Sequence, residues 1–127
     1  MFINFSDHPS CDWSNEQKNA AMKYGEIIDI PFPEVLPEAD EEQIDSLAEE
    51  YADRMIAMRP AAVMCQGEYS VTFNVALRLI GAGITVLSAC TEKCVISIRE
   101  GVNVKSEALF SFVRFRRYSV KGVNISE

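Results

Sequence analysis

The chain has 127 residues, 48% of them hydrophobic and 24% charged, with a formal net charge of −7. That length holds one core, and that composition excludes disordered, collagen-like and disulfide-scaffold chains. No apolar run approaches the ~18 residues of a membrane span, Met1 to Asp7 lacks the pattern of a signal peptide, and the acidic balance disfavours coating duplex nucleic acid, so a cytoplasmic protein without a membrane partner is expected.

Phe2 to Phe5 is apolar and aromatic and ends in Ser6-Asp7-His8-Pro9-Ser10, a short strand running into a polar loop. Ser14-Asn15-Glu16-Gln17 fits a capping box, so a helix starts there and runs through Ala20, Ala21 and Tyr24 to a stop at Gly25. Glu26 to Ile30 is the second strand, ended by Pro31, Pro33 and Pro37. Ile44, Leu47, Ala48, Tyr51, Met55 and Met58 recur at spacings of three and four, which predicts a helix with one apolar face and a stop at Pro60. Ala61 to Cys65 is the third strand. Gln66-Gly67-Glu68-Tyr69-Ser70 turns into a helix from about Val71 to Ile80, apolar nearly all round and so expected to be covered on more than one side. Ile84 to Leu87 is the fourth strand, followed by a polar stretch from Ser88 to Lys93. Cys94 to Arg99 and Leu109 to Tyr118 suit a terminal hairpin turning over Glu100 to Val104, and Ser119 to Glu127 reads as a loose tail.

Alternation of strand and helix predicts a three-layer, Rossmann-like α/β fold: a mostly parallel sheet of four strands in the order 2-1-3-4, plus a C-terminal antiparallel hairpin. One domain spans residues 1–127, with an alternating core over 1–93, the hairpin over 94–118 and the tail over 119–127. Nine acids and no base lie between Glu34 and Asp53, whereas seven bases face two acids between Lys93 and Lys121. These segments read either as solvated faces or as a local field for an anionic ligand.

In open α/β sheets ligands sit at the carboxyl ends of the strands, where strand order reverses. That rule selects three loops, after strands one, three and four. They carry Ser6, His8, Ser10, Gln66, Gly67, Glu68, Ser70, Ser88, Thr91 and Lys93, a set rich in hydroxyls with one cation and the single histidine of the chain. The helix after Gly67 is expected to aim free backbone amides at the cleft, a place for phosphate. Neither a Gly-x-Gly-x-x-Gly nor a Walker sequence is present, which disfavours ordinary dinucleotides and nucleoside triphosphates. His8 reads as a general acid or base or as a loop cap, and Glu68 as a ligand-orienting group or a first-turn acid. Cys11, Cys65, Cys90 and Cys94 read as reduced thiols rather than disulfides, and the spacing Cys90-x-x-x-Cys94 does not suit a zinc knuckle, so neither a metal nor another cofactor is expected. The alternating Phe110, Phe112, Arg114, Arg116 and Tyr118 suit base stacking, core or a subunit interface.

The opening Phe2-Ile3-Asn4-Phe5-Ser6-Asp7-His8-Pro9, the Gly67-Glu68 turn and the closing Phe112-Val113-Arg114-Phe115-Arg116-Arg117-Tyr118 resemble small CRISPR-associated proteins of the CARF-like, Rossmann-like type. The resemblance implies an antiviral-defence protein, a homodimer whose symmetric cleft binds a cyclic oligoadenylate second messenger. In ring nucleases of that type the ring is opened without metal, by attack of a ribose 2′-hydroxyl on the adjacent phosphate. Carried onto this chain, it makes His8 and Ser10 the catalytic candidates, and Ser6, Gln66, Gly67, Glu68, Ser70, Ser88, Thr91 and Lys93 the ligand contacts. Lys93 is the one base in these loops, where strong binders of that type carry basic pairs. The alternative is a non-enzymatic subunit that uses the hairpin and the acidic helix against a protein partner.

Overall fold

The computed structural model describes residues 1–122. The tail expected over Ser119 to Glu127 is therefore seen only to Gly122, and its remainder lies outside the described residues. Five strands, β1 (Phe2–Ser6), β2 (Ile27–Pro31), β3 (Ala62–Gln66), β4 (Thr85–Glu100) and β5 (Asn103–Arg117), form one sheet in the order β2-β1-β3-β4-β5. The first four run parallel and β5 returns antiparallel to β4. Three helices connect the parallel strands: α1 (Asn15–Met22), α2 (Glu41–Met58) and α3 (Tyr69–Gly81). No helix among the described residues is long and apolar enough to cross a membrane.

Strand alternation sends β1 side chains to two different cores. Ile3 and Phe5 face a core shared with Val63, Cys65 and Val86, roofed by Ala48, Ala52 and Met55 of α2 and by Val71, Val75 and Leu79 of α3. Phe2 points the other way, into a smaller core with Trp13, Ala21, Ala62, Met64 and Leu87 beneath α1. Trp13 meets the Phe2 ring edge-on at 6.1 Å and so anchors the entry to α1. Helices thus cover both faces, as parallel strands need.

Local signals explain the helix ends. The Ser14 side chain accepts from the Gln17 amide, but the Gln17 side chain reaches Met64 Sδ rather than turning back, so only half of the expected capping box forms. Asp40 and Gln43 make the full reciprocal box at the start of α2. Arg59, in the left-handed conformation with φ of 53°, ends α2 ahead of Pro60.

Two expectations change. The polar stretch Ser88 to Lys93 is not a loop between a fourth strand and a separate hairpin: β4 runs unbroken from Thr85 to Glu100, so the sheet has five strands. No Gly or Pro interrupts that span, and β3 pairs only as far as Leu87, so Ser88 to Cys90 are half-buried and the strand from Thr91 to Val95 is exposed and accepts polar side chains. The hairpin has one irregularity, where Val113 bulges out opposite Cys90 and Thr91, and it turns through Gly101-Val102, where φ of 62° at Gly101 suits glycine. The second change concerns α3, which is covered on one side only: Val71, Val75 and Leu79 face inward, whereas Tyr69 and Phe73 are exposed.

Candidate functional site

Asn4 and Ser6 are polar residues in an otherwise apolar strand, 1% and 4% exposed, and buried polar atoms are costly unless paired. Both are paired. Asn4 Nδ2 donates to the His8 carbonyl at 2.8 Å and to Asp29 Oδ1 at 3.0 Å, and Ser6 Oγ donates to Asn4 Oδ1 at 2.6 Å. The His8 amide donates to Ser6 Oγ at 3.2 Å, and both the amide and the hydroxyl of Ser10 donate to Asp29 Oδ2 at 3.1 Å. Asp29 stands opposite Asn4 in the β1–β2 register, which is why strand pairing brings its carboxylate under the loop.

This network folds the Ser6 to Ser10 loop over the carboxyl ends of β1 and β2. Beside it lies a cavity of about 220 Å³, lined by Asn4, Ser6, Asp7, Pro9, Asp29, Ile30, Pro31 and Phe32. Its two carboxylates accept hydrogen bonds and repel phosphate, while Pro9, Pro31 and Phe32 offer apolar walls. Such a pocket suits a group that presents hydroxyl or amino donors. His8 is held through its main chain, its side chain is exposed, and its ring makes no hydrogen bond among the described residues.

The loop after β3 is built differently from expectation. Glu68 caps α3 with its own side chain: Oε1 accepts from the Val71 amide at 2.8 Å, and the Ser70 hydroxyl donates to the same carboxylate. The Ser70 hydroxyl, and then the Val71 amide, hold the Glu68 carboxyl below its usual range. An anion already occupies the helix start, so the expected phosphate seat on free amides is not there. Gln66 Oε1 accepts from the Ala89 amide and ties the end of β3 to β4. Gly67 lies against the Phe32 ring, where a Cβ would come within 2.5 Å of a ring carbon, and Phe32 in turn stacks on Phe5 at 4.6 Å.

Ser88, Thr91 and Lys93 are strand residues. Ser88 Oγ lies 3.5 Å from the Arg116 carbonyl across the hairpin, and Thr91 and Lys93 stand opposite Phe112 and Phe110. Lys93 is six residues beyond Leu87, about 20 Å along the strand at ~3.3 Å per residue. The ten site residues read from sequence thus fall into three groups: the β1 loop (Ser6, His8, Ser10), the capped start of α3 (Gln66, Gly67, Glu68, Ser70) and the hairpin (Ser88, Thr91, Lys93).

Sequence reasoning missed Asn4, Asp7 and Asp29. Asn4 and Asp29 did carry a signal, since each is a polar residue flanked by core apolars in a strand. Cys65 is buried, and burial pushes its thiol up from 9.0 to about 12. Cys11 and Cys94 are exposed and Cys90 half-buried. No three His, Cys, Asp or Glu side chains converge on one point among the described residues.

Residues 1–116 match the family model described as the uncharacterized protein MJ1673 family. No curated protein and no solved structure matches the chain.

Proposed function

We propose that this chain, which belongs to the MJ1673 family, is a receptor for a small nucleotide messenger of the cyclic oligoadenylate class, bound as a homodimer over the carboxyl ends of β1 and β2. The observation that carries the reading is the strand order. After β1 the chain crosses to β2 beneath α1, and after β3 it continues into α3 on the opposite face, so the loops diverge between β1 and β3. That reversal is where doubly wound sheets take nucleotides, and the pocket adjoins it from the β2 side, sharing the β1 loop but no residue of β3. The pocket chemistry adds an orientation. Asp7 and Asp29 accept ribose hydroxyls or the adenine amino group, and the phosphates then point away from them, toward exposed His8.

Opening of the ring follows from the same placement. The 2′-oxygen bonds to phosphorus as the bond to the 5′-oxygen breaks. The 2′-hydroxyl gives up its proton to a base, the departing 5′-oxygen takes one up, and the ends are a 2′,3′-cyclic phosphate and a 5′-hydroxyl. His8 is the acid–base group beside the pocket whose ring the described residues leave unengaged, whereas Ser10, bonded to Asp29, holds the loop. Positioning of the attacking hydroxyl supplies most of the effect. The test is incubation of the purified chain with cyclic tri-, tetra- and hexa-adenylate in EDTA, followed by chromatography. Products ending in a 2′,3′-cyclic phosphate, lost in His8→Ala, are expected. Binding without products reduces the reading to a sensor, and neither binding nor products contradicts it.

A second reading has its own observation. The hairpin exposes Val95, Val104 and Phe110, which suits a subunit that acts by docking on another protein.

A further inference from the structure

Beyond Thr91 and Phe112 the hairpin has no third strand among the described residues. An isolated two-stranded hairpin is marginal in water, yet this one continues through the Gly101-Val102 turn with Val95 62%, Val104 58% and Phe110 66% exposed. Pairing places Lys93, Phe110, Val95, Arg99 and Val104 on one face of the arm, which therefore combines apolar groups with two cations and no acid. The opposite face carries Glu92, Glu100 and Glu107 against Lys105.

Elsewhere the fold leaves a complementary surface bare. Tyr69, Phe73 and Leu77 recur every fourth residue along the outer side of α3 and are 91%, 71% and 37% exposed. Beside them a cavity of about 360 Å³ opens between α3 and the start of α2, with Ile44 at its base and Glu41 and Asp45 at its rim. Asn74 donates to Asp45 and accepts from Arg78, so the Arg78 cation is turned into the helix surface. The remaining rim is acidic.

We propose that two copies of this chain exchange arms, the Lys93–Phe110–Arg99 face of each lying along the Tyr69–Phe73–Leu77 stripe of the other. Charge selects the face, since the face that carries Lys93 and Arg99 and no acid suits a groove rimmed by Glu41 and Asp45, whereas the reverse face would set acid on acid. The whole of α3 is about 20 Å long, so an arm two strands wide covers about 20 by 10 Å of it, and two reciprocal contacts bury on the order of 800 Å², the size of a weak pair populated at high loading concentration. The pair is closed by a twofold axis, each arm-to-stripe contact being matched by its reciprocal, so the interface as a whole is isologous. It stands on residues other than those of the messenger reading, at the far edge of the sheet from β2, and failure of nucleotide binding leaves it untouched.

The test is the mass of the full chain in solution, by light scattering during gel filtration. The wild type is expected at twice 14.2 kDa. Phe73→Glu and Phe110→Glu, both at exposed sites, are each expected to keep the wild-type circular dichroism and to run as monomers. Loss of a central aromatic raises the dissociation constant by about 100-fold. Tyr69→Glu serves as a second stripe variant with the same expectation. Mixing Phe73→Glu with Phe110→Glu restores one intact arm-to-stripe contact and should recover a mixed dimer. A monomeric wild type overturns the proposal and assigns the arm to a different protein. Dimers persisting in either variant, or no recovery on mixing, overturn it in favour of another interface, arm against arm where Phe73→Glu alone stays dimeric.

Discussion

Asn4 is the residue on which the candidate site turns, because its amide joins Ser6, the His8 carbonyl and Asp29 in one buried network. Removing it leaves the Ser6 hydroxyl and the Asp29 carboxylate short of a partner, and Asn4→Ala should cost about 1–3 kcal/mol in urea unfolding, with the β1 loop losing amide-exchange protection first. A loss below the error of the fit would mean that water replaces the side chain without penalty. Cysteine chemistry gives an independent reading of the same burial. Cys11 and Cys94 should react with a thiol reagent in the native protein, whereas Cys65 should react only after unfolding. The raised Cys65 thiol also has a pH consequence. Its folded value exceeds its unfolded one, so its stabilising contribution is full below about pH 9 and is lost as pH rises toward 12. Tyr118, whose hydroxyl donates to the Cys65 carbonyl at 3.2 Å and whose own titration is raised by burial, acts in the same direction. Unfolding midpoints that stay level from pH 8 to pH 11 would contradict this. Residues of this kind were partly legible: Asn4 and Asp29 interrupt apolar strands, but only the register that sets them opposite one another gives them a joint role.

At the scale of elements, α3 shows how a cap displaces a site. A sequence of Gly67-Glu68 before an apolar helix suits either a phosphate seat or a self-capped start, and the side chain of Glu68 decides for the second. Glu68→Ala should destabilise the chain by about 1 kcal/mol at pH 7, the usual worth of an N-cap. Because the folded carboxyl titrates below its usual range, the stabilisation is present above that range and fades as pH falls through the folded value, so wild type and variant should converge in acid. A gap that stays constant down to pH 2 would sink this assignment. The parallel strands and the apolar face of α2 were legible because apolar residues bounded by turn residues, or recurring every three and four positions, match the period of one element and not of another. The continuous β4 was not, since polar residues at Ser88 to Lys93 look like a loop unless it is known that β3 stops pairing at Leu87. The same missing knowledge hid the bare side of α3: an apolar helix reads as covered, and nothing among the described residues covers Tyr69 and Phe73.

For the whole molecule, strand order, loop network and arm define three separable surfaces: an acid-lined pocket over β1 and β2, a basic and aromatic arm, and an acidic-rimmed stripe on α3. Charge is sorted along the chain accordingly, with the acids gathered from Glu34 to Asp53 and the bases after Lys93. A net charge of −7 therefore conceals local fields of both signs, and it is the local field that a ligand or a second copy meets. Alternation made the parallel sheet legible but is compatible with several strand orders, of which β2-β1-β3-β4 is the one adopted. What the crossovers bring together was less so, because Lys93, expected beside Ser10, stands out along the arm, about 20 Å beyond Leu87 at the usual strand rise. The measurement that bears most directly on the central claim is a calorimetric titration of the wild-type chain with cyclic tri-, tetra- and hexa-adenylate, alongside Asp29→Asn and His8→Ala. The account predicts saturable binding of one ring per two chains, weakened about tenfold or more by each substitution, the loss expected when one hydrogen-bonding group is removed from a bound ligand. No heat with any ring, or binding indifferent to both substitutions, would contradict it.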